Sequence, residues 1–286
     1  MSATLLAGGP LAARVRAEVA EEVQELGDLK LVTVQVGEDA GSTIYLRRKH
    51  EAAAEVGIAS DDRKLAEETT EEGLLAVVAE LSDDDEVDGI LVQLPLPGHM
   101  DEARVIAEID PVKDVDGFHP FNAGQLYLGR PTLVPATPLG IMAMLADARI
   151  DVDRMRAVVI GRSDIVGKPI AHLLLQANAT VTICHSHTED LSRHTLDADV
   201  LVVAAGVPGI VSPDMVKSGS TVVDVGINRT EAGLVGDVDP GAAERAAFLT
   251  PVPGGVGPMT IAMLLRNTVR ATRYRRKLLA FPQARR

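Results

Sequence analysis

Three groups of side chains in this sequence have the types and spacing to do chemistry. Tyr45 and Lys49 stand four residues apart, so on a helix both side chains occupy one face and can point into one cleft. The same spacing also fits an exposed lysine that serves only solubility. Gln93 lies near the end of an apolar run, Gly89-Ile90-Leu91-Val92-Gln93-Leu94, stopped by Pro95, and Asp116 lies in the acidic stretch Lys113-Asp114-Val115-Asp116-Gly117. Strand ends and loops are where α/β domains hold ligands. A lysine with an ordinary pKa of about 10.4 is a poor base at neutral pH. Desolvation in a cleft lowers that value, and an amide such as Gln93 can accept a hydrogen bond from it without adding a charge that would raise it. Together these segments make Lys49 a candidate cleft residue, while Asp114 also fits a loop-structuring carboxylate.

The third group suits a nucleotide. The apolar run Ala157-Val158-Val159-Ile160 leads directly into Gly161-Arg162-Ser163-Asp164-Ile165-Val166-Gly167-Lys168-Pro169, followed by a helical pattern over 170–175. A glycine-bearing turn between strand and helix brings backbone N–H groups and the positive helix end to a pyrophosphate. The spacing departs from G-x-G-x-x-G, and a plain tight turn fits it too. The next strand, 180–184, runs into His185-Ser186-His187 without the acidic residue that would grip the ribose hydroxyls of NAD. Ser186 as donor and Arg162 as counter-charge suit a 2′-phosphate, which favours NADP. In the alternative, Arg162 pairs with Asp164 and Ser186 caps the following turn. His185 and His187 read as supporting or surface residues, and no metal site is expected.

The elements that must position these groups alternate. Helical periodicity over 11–26 precedes a β-branched strand at 31–36, and helices over 44–56 and 71–81 precede the strand beginning at Gly89. A second series opens with a helix over 139–145 and continues through strands at 157–160, 180–184, 200–204, 221–225 and 248–250. Alternation of this kind predicts an α/β fold with buried parallel strands, the second half a doubly wound nucleotide-binding sheet. A last helix over 259–279 comes too late to extend the sheet and is expected to pack back on the first domain.

A chain of 286 residues suits two domains with a cleft between them. The single cysteine, Cys184, excludes an internal disulfide, and neither a signal-peptide pattern nor an apolar run of about 18 residues is present. A cytoplasmic protein is expected. A formal charge of −13 argues against a surface that collects nucleic-acid phosphates, and the basic stretch 266–286 reads as a solvated helix face.

Taken in order, Tyr45 to Lys49, Val92-Gln93-Leu94-Pro95, Lys113 to Gly117, Thr137-Pro138, Gly161 to Pro169, and Thr250-Pro251-Val252-Pro253-Gly254-Gly255-Val256-Gly257-Pro258-Met259-Thr260 resemble the bifunctional methylenetetrahydrofolate dehydrogenase/cyclohydrolase family. The resemblance extends over nearly the whole chain. It implies an N-terminal α/β catalytic domain, 1–138 completed by 262–286, and a Rossmann-like NADP-binding domain, 139–261. It implies NADP-dependent oxidation of methylenetetrahydrofolate followed by hydrolysis to formyltetrahydrofolate, in one-carbon metabolism and purine biosynthesis. The partners implied are tetrahydrofolate derivatives, with or without polyglutamate tails, and a second copy in a homodimer; neither nucleic acid nor membrane is expected.

Lys49 would then be the general acid/base of hydrolysis, Gln93 its orienting neighbour, Tyr45 a stacking surface for folate and Asp116 the partner of the pterin's amino edge. Val92 and Leu94 would flank the substrate, and Pro253, Gly254, Gly255, Val256 and Gly257 would bring backbone close to folate and nicotinamide. Gly254-Gly255 also fits a simple helix-entry turn. The cofactor positions would be Gly161, Arg162, Ser163, Ser186 and Ile227. Two departures stand out: Glu51 where many relatives have a second lysine, and Ala136 where a cysteine often precedes Thr-Pro. A dehydrogenase without hydrolase activity and a non-catalytic nucleotide-binding regulator are the rival readings.

Overall fold

The computed structural model describes residues 2–37, 40–231 and 233–282, leaving aside the side chains of 40–45. The chain begins with β1 (Thr4–Leu5), α1 (Gly8–Leu26), β2 (Lys30–Val36), α2 (Ala40–Glu55), β3 (Ala59–Leu65), α3 (Glu71–Asp83) and β4 (Gly89–Val92). Then follow α4 (Glu102–Glu108), α5 (Pro120–Tyr127), α6 (Ala136–Asp147), β5 (Arg156–Ile160), α7 (Gly167–Gln176), β6 (Thr180–Cys184), α8 (Leu191–Thr195) and β7 (Val200–Val203). The remainder is β8 (Thr221–Asp224), the hairpin β9 (Asn228–Thr230) and β10 (Gly233–Val235), β11 (Phe248–Leu249) and α9 (Val256–Arg275). Two compact units result: one holds Arg14–Ala136 with Ile261–Arg286, the other Met1–Ala13 with Thr137–Thr260. No described helix is long and apolar enough to cross a membrane.

The first unit is built on a parallel sheet in the order β3-β2-β4. Central β2, Lys-Leu-Val-Thr-Val-Gln-Val, is buried over six of its seven residues. Its Val32, Val34 and Val36 pack with Leu74, Val78 and Leu81 of α3 and with Ile90 and Val92 of β4. Thr70 caps the start of α3, its hydroxyl accepting from Gly73 N–H at 3.1 Å. The far end of α3 is capped by Lys113, whose buried ammonium donates to the carbonyls of Leu81, Ser82 and Asp84 at 3.1, 2.7 and 2.6 Å. The later part of α9 docks through Asn267, whose amide donates to the carbonyls of Val115 and Val134 at 2.8 Å each. Arg275 donates twice to the buried carboxylate of Asp88, at 2.9 and 2.6 Å. Arg266 pairs with Glu18 and Arg273 with Glu22, so much of the basic stretch is spent on α1 and the sheet rather than facing solvent alone.

The second unit is a six-stranded sheet, β1-β11-β8-β7-β5-β6, parallel throughout. From β5 the chain passes through α7 to β6 on one side and then returns to β7 on the other, which makes β5 the topological switch point. Pairing of Thr4 with Phe248 and Leu5 with Leu249 draws the first thirteen residues into this unit. The expectation from sequence had placed 1–138 whole in the other domain; two residues of strand carry no pattern strong enough to reveal this pairing.

Candidate active site

In the first unit, α2 buries Leu46, Lys49, Ala52 and Ala53, and Val56 directly after it is buried too. Lys49 is 6% exposed, and burial holds its ammonium below the ordinary lysine value, with the carboxylate of Asp116 opposing that shift. One residue on, His50 Nε2 lies 3.0 Å from the hydroxyl of Thr33 and 3.1 Å from Asp62 Oδ1. This polar cluster fixes α2 against β2 and β3. Tyr45 lies in α2, but its side chain is outside the described residues. Glu51 pairs with Arg47 at 3.6 Å on the exposed side of the helix, and Ala136 is buried at the start of α6.

Asp116 reaches the same neighbourhood by a different route. Ile90 N–H donates to Lys113 O at 2.8 Å and Ile90 bridges Asp114 in parallel register, so Asp116 runs level with Val92 at the end of β4. Asp114 is fully occupied by Phe118 N–H, His119 N–H and the Asn122 amide, at 3.2, 2.8 and 2.8 Å. It is a loop-structuring carboxylate. Gly117 then turns the chain at φ 72°, where a Cβ would come within 2.6 Å of Val134 backbone. Asp116 accepts no hydrogen bond from the described residues; burial raises its carboxyl to about 6, Lys49 opposing and Asp114 adding to the rise. Lys49 and Asp116 therefore sit close enough to shift each other's titration. The carboxylate works against the lowering that Gln93 was expected to permit, and burial outweighs it.

Gln93 follows β4, its N–H donating to Val34 O at 2.8 Å and its side-chain amide to Leu94 O at 2.6 Å. Its Oε1 is buried with no hydrogen-bond partner among the described residues, an acceptor that costs free energy until a donor arrives. Val92 is buried and Leu94 half-buried beside it.

The second unit carries the glycine turn. Gly161 has φ 118°, and a Cβ there would lie 2.2 Å from Ala204 O; one at Gly167 would lie 2.3 Å from Gly161 O. The two glycines thus let the β5 turn, the end of β7 and the start of α7 approach closely. Ser163 Oγ accepts from the N–H groups of Val166 and Gly167, both at 3.3 Å, which organises the entry to α7. Ile160 and Cys184 are register partners, so Arg162 and Ser186 each stand two residues beyond the same rung. Both are exposed. Asp164 pairs with Lys168, and among the described residues no ion pair engages Arg162. The turn after β6 is closed by Thr188, whose hydroxyl accepts from His185 N–H at 2.9 Å, leaving Ser186 unused as a cap. Neither part of the alternative reading of Arg162 and Ser186 is found. A close-packed glycine turn leading into a helix, with a basic side chain and a hydroxyl at the same sheet end and no acidic residue in His185-Ser186-His187 after β6, fits a phosphorylated dinucleotide.

Pro253, Gly254, Gly255, Val256 and Gly257 also belong to this unit, at the entry to α9. Gly254 has φ 104°, and its carbonyl accepts from Gly8 N–H at 2.9 Å. A Cβ on Gly8 would sit 2.0 Å from Gly255 O. The segment is a helix-entry turn whose glycines are demanded by close backbone packing. Ile227 is 60% exposed and its Cδ1 lies 3.9 Å from where a Cβ on Gly257 would be. Sequence reasoning missed two buried aspartates, Asp224 and Asp237, which hold the loops around Ile227; the adjacent glycines Gly226 and Gly236 are the only local signal for them.

These features define a two-unit α/β protein with a dinucleotide-type parallel sheet and, separately, a buried lysine beside a half-buried aspartate. Residues 6–116 match the catalytic domain of tetrahydrofolate dehydrogenase/cyclohydrolase, and residues 135–276 its NAD(P)-binding domain. The chain is 52% identical over 277 residues to the bifunctional protein FolD of Halothermothrix orenii, covering 94% of this chain and 98% of that protein. It is likewise 52% identical over 279 residues to the bifunctional protein FolD of Moorella thermoacetica, covering 96% and 100%. Among solved structures, the bifunctional FolD enzyme of Campylobacter jejuni superposes with a TM-score of 0.94 at 47% identity, covering 96% of this chain and 100% of that one. The Trypanosoma brucei enzyme complexed with NADP cofactor and inhibitor superposes at 0.92 with 38% identity, covering 98% and 100%. The chain belongs to the tetrahydrofolate dehydrogenase/cyclohydrolase family.

Proposed function

We propose that the chain oxidises 5,10-methylenetetrahydrofolate to 5,10-methenyltetrahydrofolate with NADP and hydrolyses that product to 10-formyltetrahydrofolate. The observation that carries this reading is the buried Lys49 held below its ordinary pKa beside Asp116, in a chain of this family. NADP, when bound, supplies the hydride acceptor. Gly161 and Gly167 let the turn after β5 pack closely on the end of β7 and the start of α7, where a helix N-terminus would face a pyrophosphate, with Ser163 fixing that turn. Arg162 and Ser186 would hold the 2′-phosphate, and exposed Ile227 would cover part of the cofactor.

Hydrolysis needs a group that takes a proton and returns it. Water adds its oxygen to the methenyl carbon and gives a proton to the Lys49 amine. The bond from that carbon to one ring nitrogen breaks, Lys49 returns a proton to that nitrogen, and the water's second proton passes to solvent. Gln93, whose buried Oε1 has no partner among the described residues, orients the amine. Asp116 binds the pterin's amino edge, Tyr45 stacks on the ring, Val92 and Leu94 flank it, and the backbone from Pro253 to Gly257 approaches folate and nicotinamide.

A cytoplasmic homodimer is the form we infer. The outer strand β6 leaves Ile183 41% exposed, and Leu175 of α7 and Leu196 after α8 are 58% and 43% exposed. An unpaired edge with such residues calls for a partner strand. A coupled assay following methenyl formation from methylenetetrahydrofolate and NADP, then its disappearance, tests the two activities. Formation without catalysed disappearance would leave a dehydrogenase alone; neither would sink the reading.

A further inference from the structure

Two buried aspartates, used by none of the roles above, tie together the loops at the carboxyl edge of the second unit's sheet. Asp237, 0% exposed, accepts at Oδ2 from Ala205 N–H and Gly206 N–H, at 2.7 and 2.8 Å, and at Oδ1 from the Asn228 amide at 2.9 Å. Asp224, 4% exposed, accepts at Oδ1 from Gly226 N–H and Asp237 N–H, both at 2.9 Å, and at Oδ2 from Val238 N–H at 3.0 Å. Its own N–H donates to the Thr250 hydroxyl at 2.7 Å. The glycines beside them have no room for a side chain: a Cβ on Gly226 would stand 2.2 Å from Asp237 Oδ1, and one on Gly236 1.8 Å from Asp224 Oδ2.

The segment that Asp237 holds is a wall of the crevice at the switch point. Ala204 is the residue against which Gly161 packs, and Ala205 and Gly206 follow it directly beyond β7. Both of their N–H groups are consumed by Asp237, so they are not offered to a phosphate. Across the crevice, the N–H groups of Gly161 and Lys168 are bonded to Cys184 O and Ser163 O, and the turn 162–165 between them is exposed. The third bond of Asp237 goes to Asn228, the residue after Ile227. One carboxylate therefore sets the position of both the 204–206 turn and the Ile227 loop, and Asp224 fixes its backbone in turn.

We propose that Asp237 is a positioning residue for the dinucleotide: it shapes the wall of the crevice opposite the glycine turn and thereby sets affinity for NADP. The inference rests on NADP lying over the β5 switch point. Asp237→Asn keeps the shape but cannot accept hydrogen bonds at both ends, because its amide nitrogen must face either the two backbone N–H groups or the Asn228 amide. The dissociation constant and KM for NADP should rise about tenfold or more. Hydrolysis of supplied methenyltetrahydrofolate, which consumes no NADP, should stay within about twofold, as expected for a site in separate contacts. Combining Asp237→Asn with Asn228→Asp should recover most of the NADP affinity, since the amide at 237 then donates to the carboxylate placed at 228 while its oxygen keeps the backbone pair. If Asp237→Asn fails to fold alone, Asn228→Ala removes one of the three bonds and should raise KM for NADP about threefold. A folded Asp237→Asn protein that binds NADP as the parent does, or loses both activities in proportion, overturns the proposal; so does a double variant no better than the single. Arg162→Ala separates the two levels. Loss of NADP affinity there with none in Asp237→Asn defeats only this inference, whereas a parent protein that does not bind NADP defeats the site on which it rests.

Discussion

Replacing Asp116 with asparagine sets stability against recognition, and the structure fixes the size of the first effect. The carboxyl is raised from 3.8 to about 6 by burial. A carboxyl raised on folding binds more protons in the folded state, so its contribution to stability falls as the pH climbs from about 4 to about 6 and is level above that. At neutral pH the difference is worth at most about 3 kcal/mol. Asparagine carries no charge, so the variant should be the more stable protein, and its advantage should be about 1.5 kcal/mol larger at pH 8 than at pH 5. Urea unfolding of parent and variant at both pH values measures the gap. Affinity for a folate analogue should move the other way, falling about tenfold or more, because an ionised carboxylate accepts two hydrogen bonds from a pterin edge and an amide cannot. Folate binding by the parent should also weaken as the pH drops below about 6. An advantage that stays constant or shrinks between pH 5 and pH 8 refutes the buried charge, and unchanged calorimetric affinity for the folate analogue removes Asp116 from the site.

Lys49→Met keeps the length of the side chain but not the proton carrier; hydrolysis should fall about hundredfold or more, with hydride transfer still measurable. Equal loss of both activities in a folded variant with normal folate affinity would count against the assignment. Arg162→Ala should raise KM for NADP about tenfold or more while leaving the weaker use of NAD almost unchanged, and parallel losses with both cofactors would refute the 2′-phosphate contact. Ile183→Lys on the β6 edge should shift sedimentation toward a monomer; an unaltered sedimentation coefficient in a folded variant would place any dimer contact elsewhere.

Much of the scaffold was legible because buried parallel strands advertise themselves. Strand 180–184 falls where β6 does, and 157–160 and 200–204 each differ from β5 and β7 by one residue. What escaped notice was polar or very short. β3 reads Ala-Ser-Asp-Asp-Arg-Lys-Leu and is mostly exposed; as an edge strand bonded only to β2, it has no second neighbour to demand apolar residues. The hairpin β9–β10 has three residues in each strand, too few for alternation to register. Lys113 shows the limit of reading a site from proximity in sequence. It adjoins Asp114 and Asp116, yet its ammonium caps α3.

The buried carboxylates separate by how their oxygens are satisfied, and that difference is chemical rather than positional. Asp114, Asp224 and Asp237 each accept three hydrogen bonds, and Asp88 receives Lys30 N–H together with Arg275. Saturated acceptors of this kind hold loops and helices in place and have no capacity left for a ligand. Asp116 is half-buried and accepts nothing from the described residues, and Gln93 Oε1 is buried without a donor among them. Leaving two such acceptors unfilled beside a buried lysine opposes folding, and each would be satisfied by a ligand that brings N–H donors and a transferable proton. Sequence spacing could not draw that distinction, since Asp114 and Asp116 are two residues apart in the same acidic loop. The hydrogen bonds draw it: one aspartate belongs to the scaffold, and the other accepts nothing from the described residues.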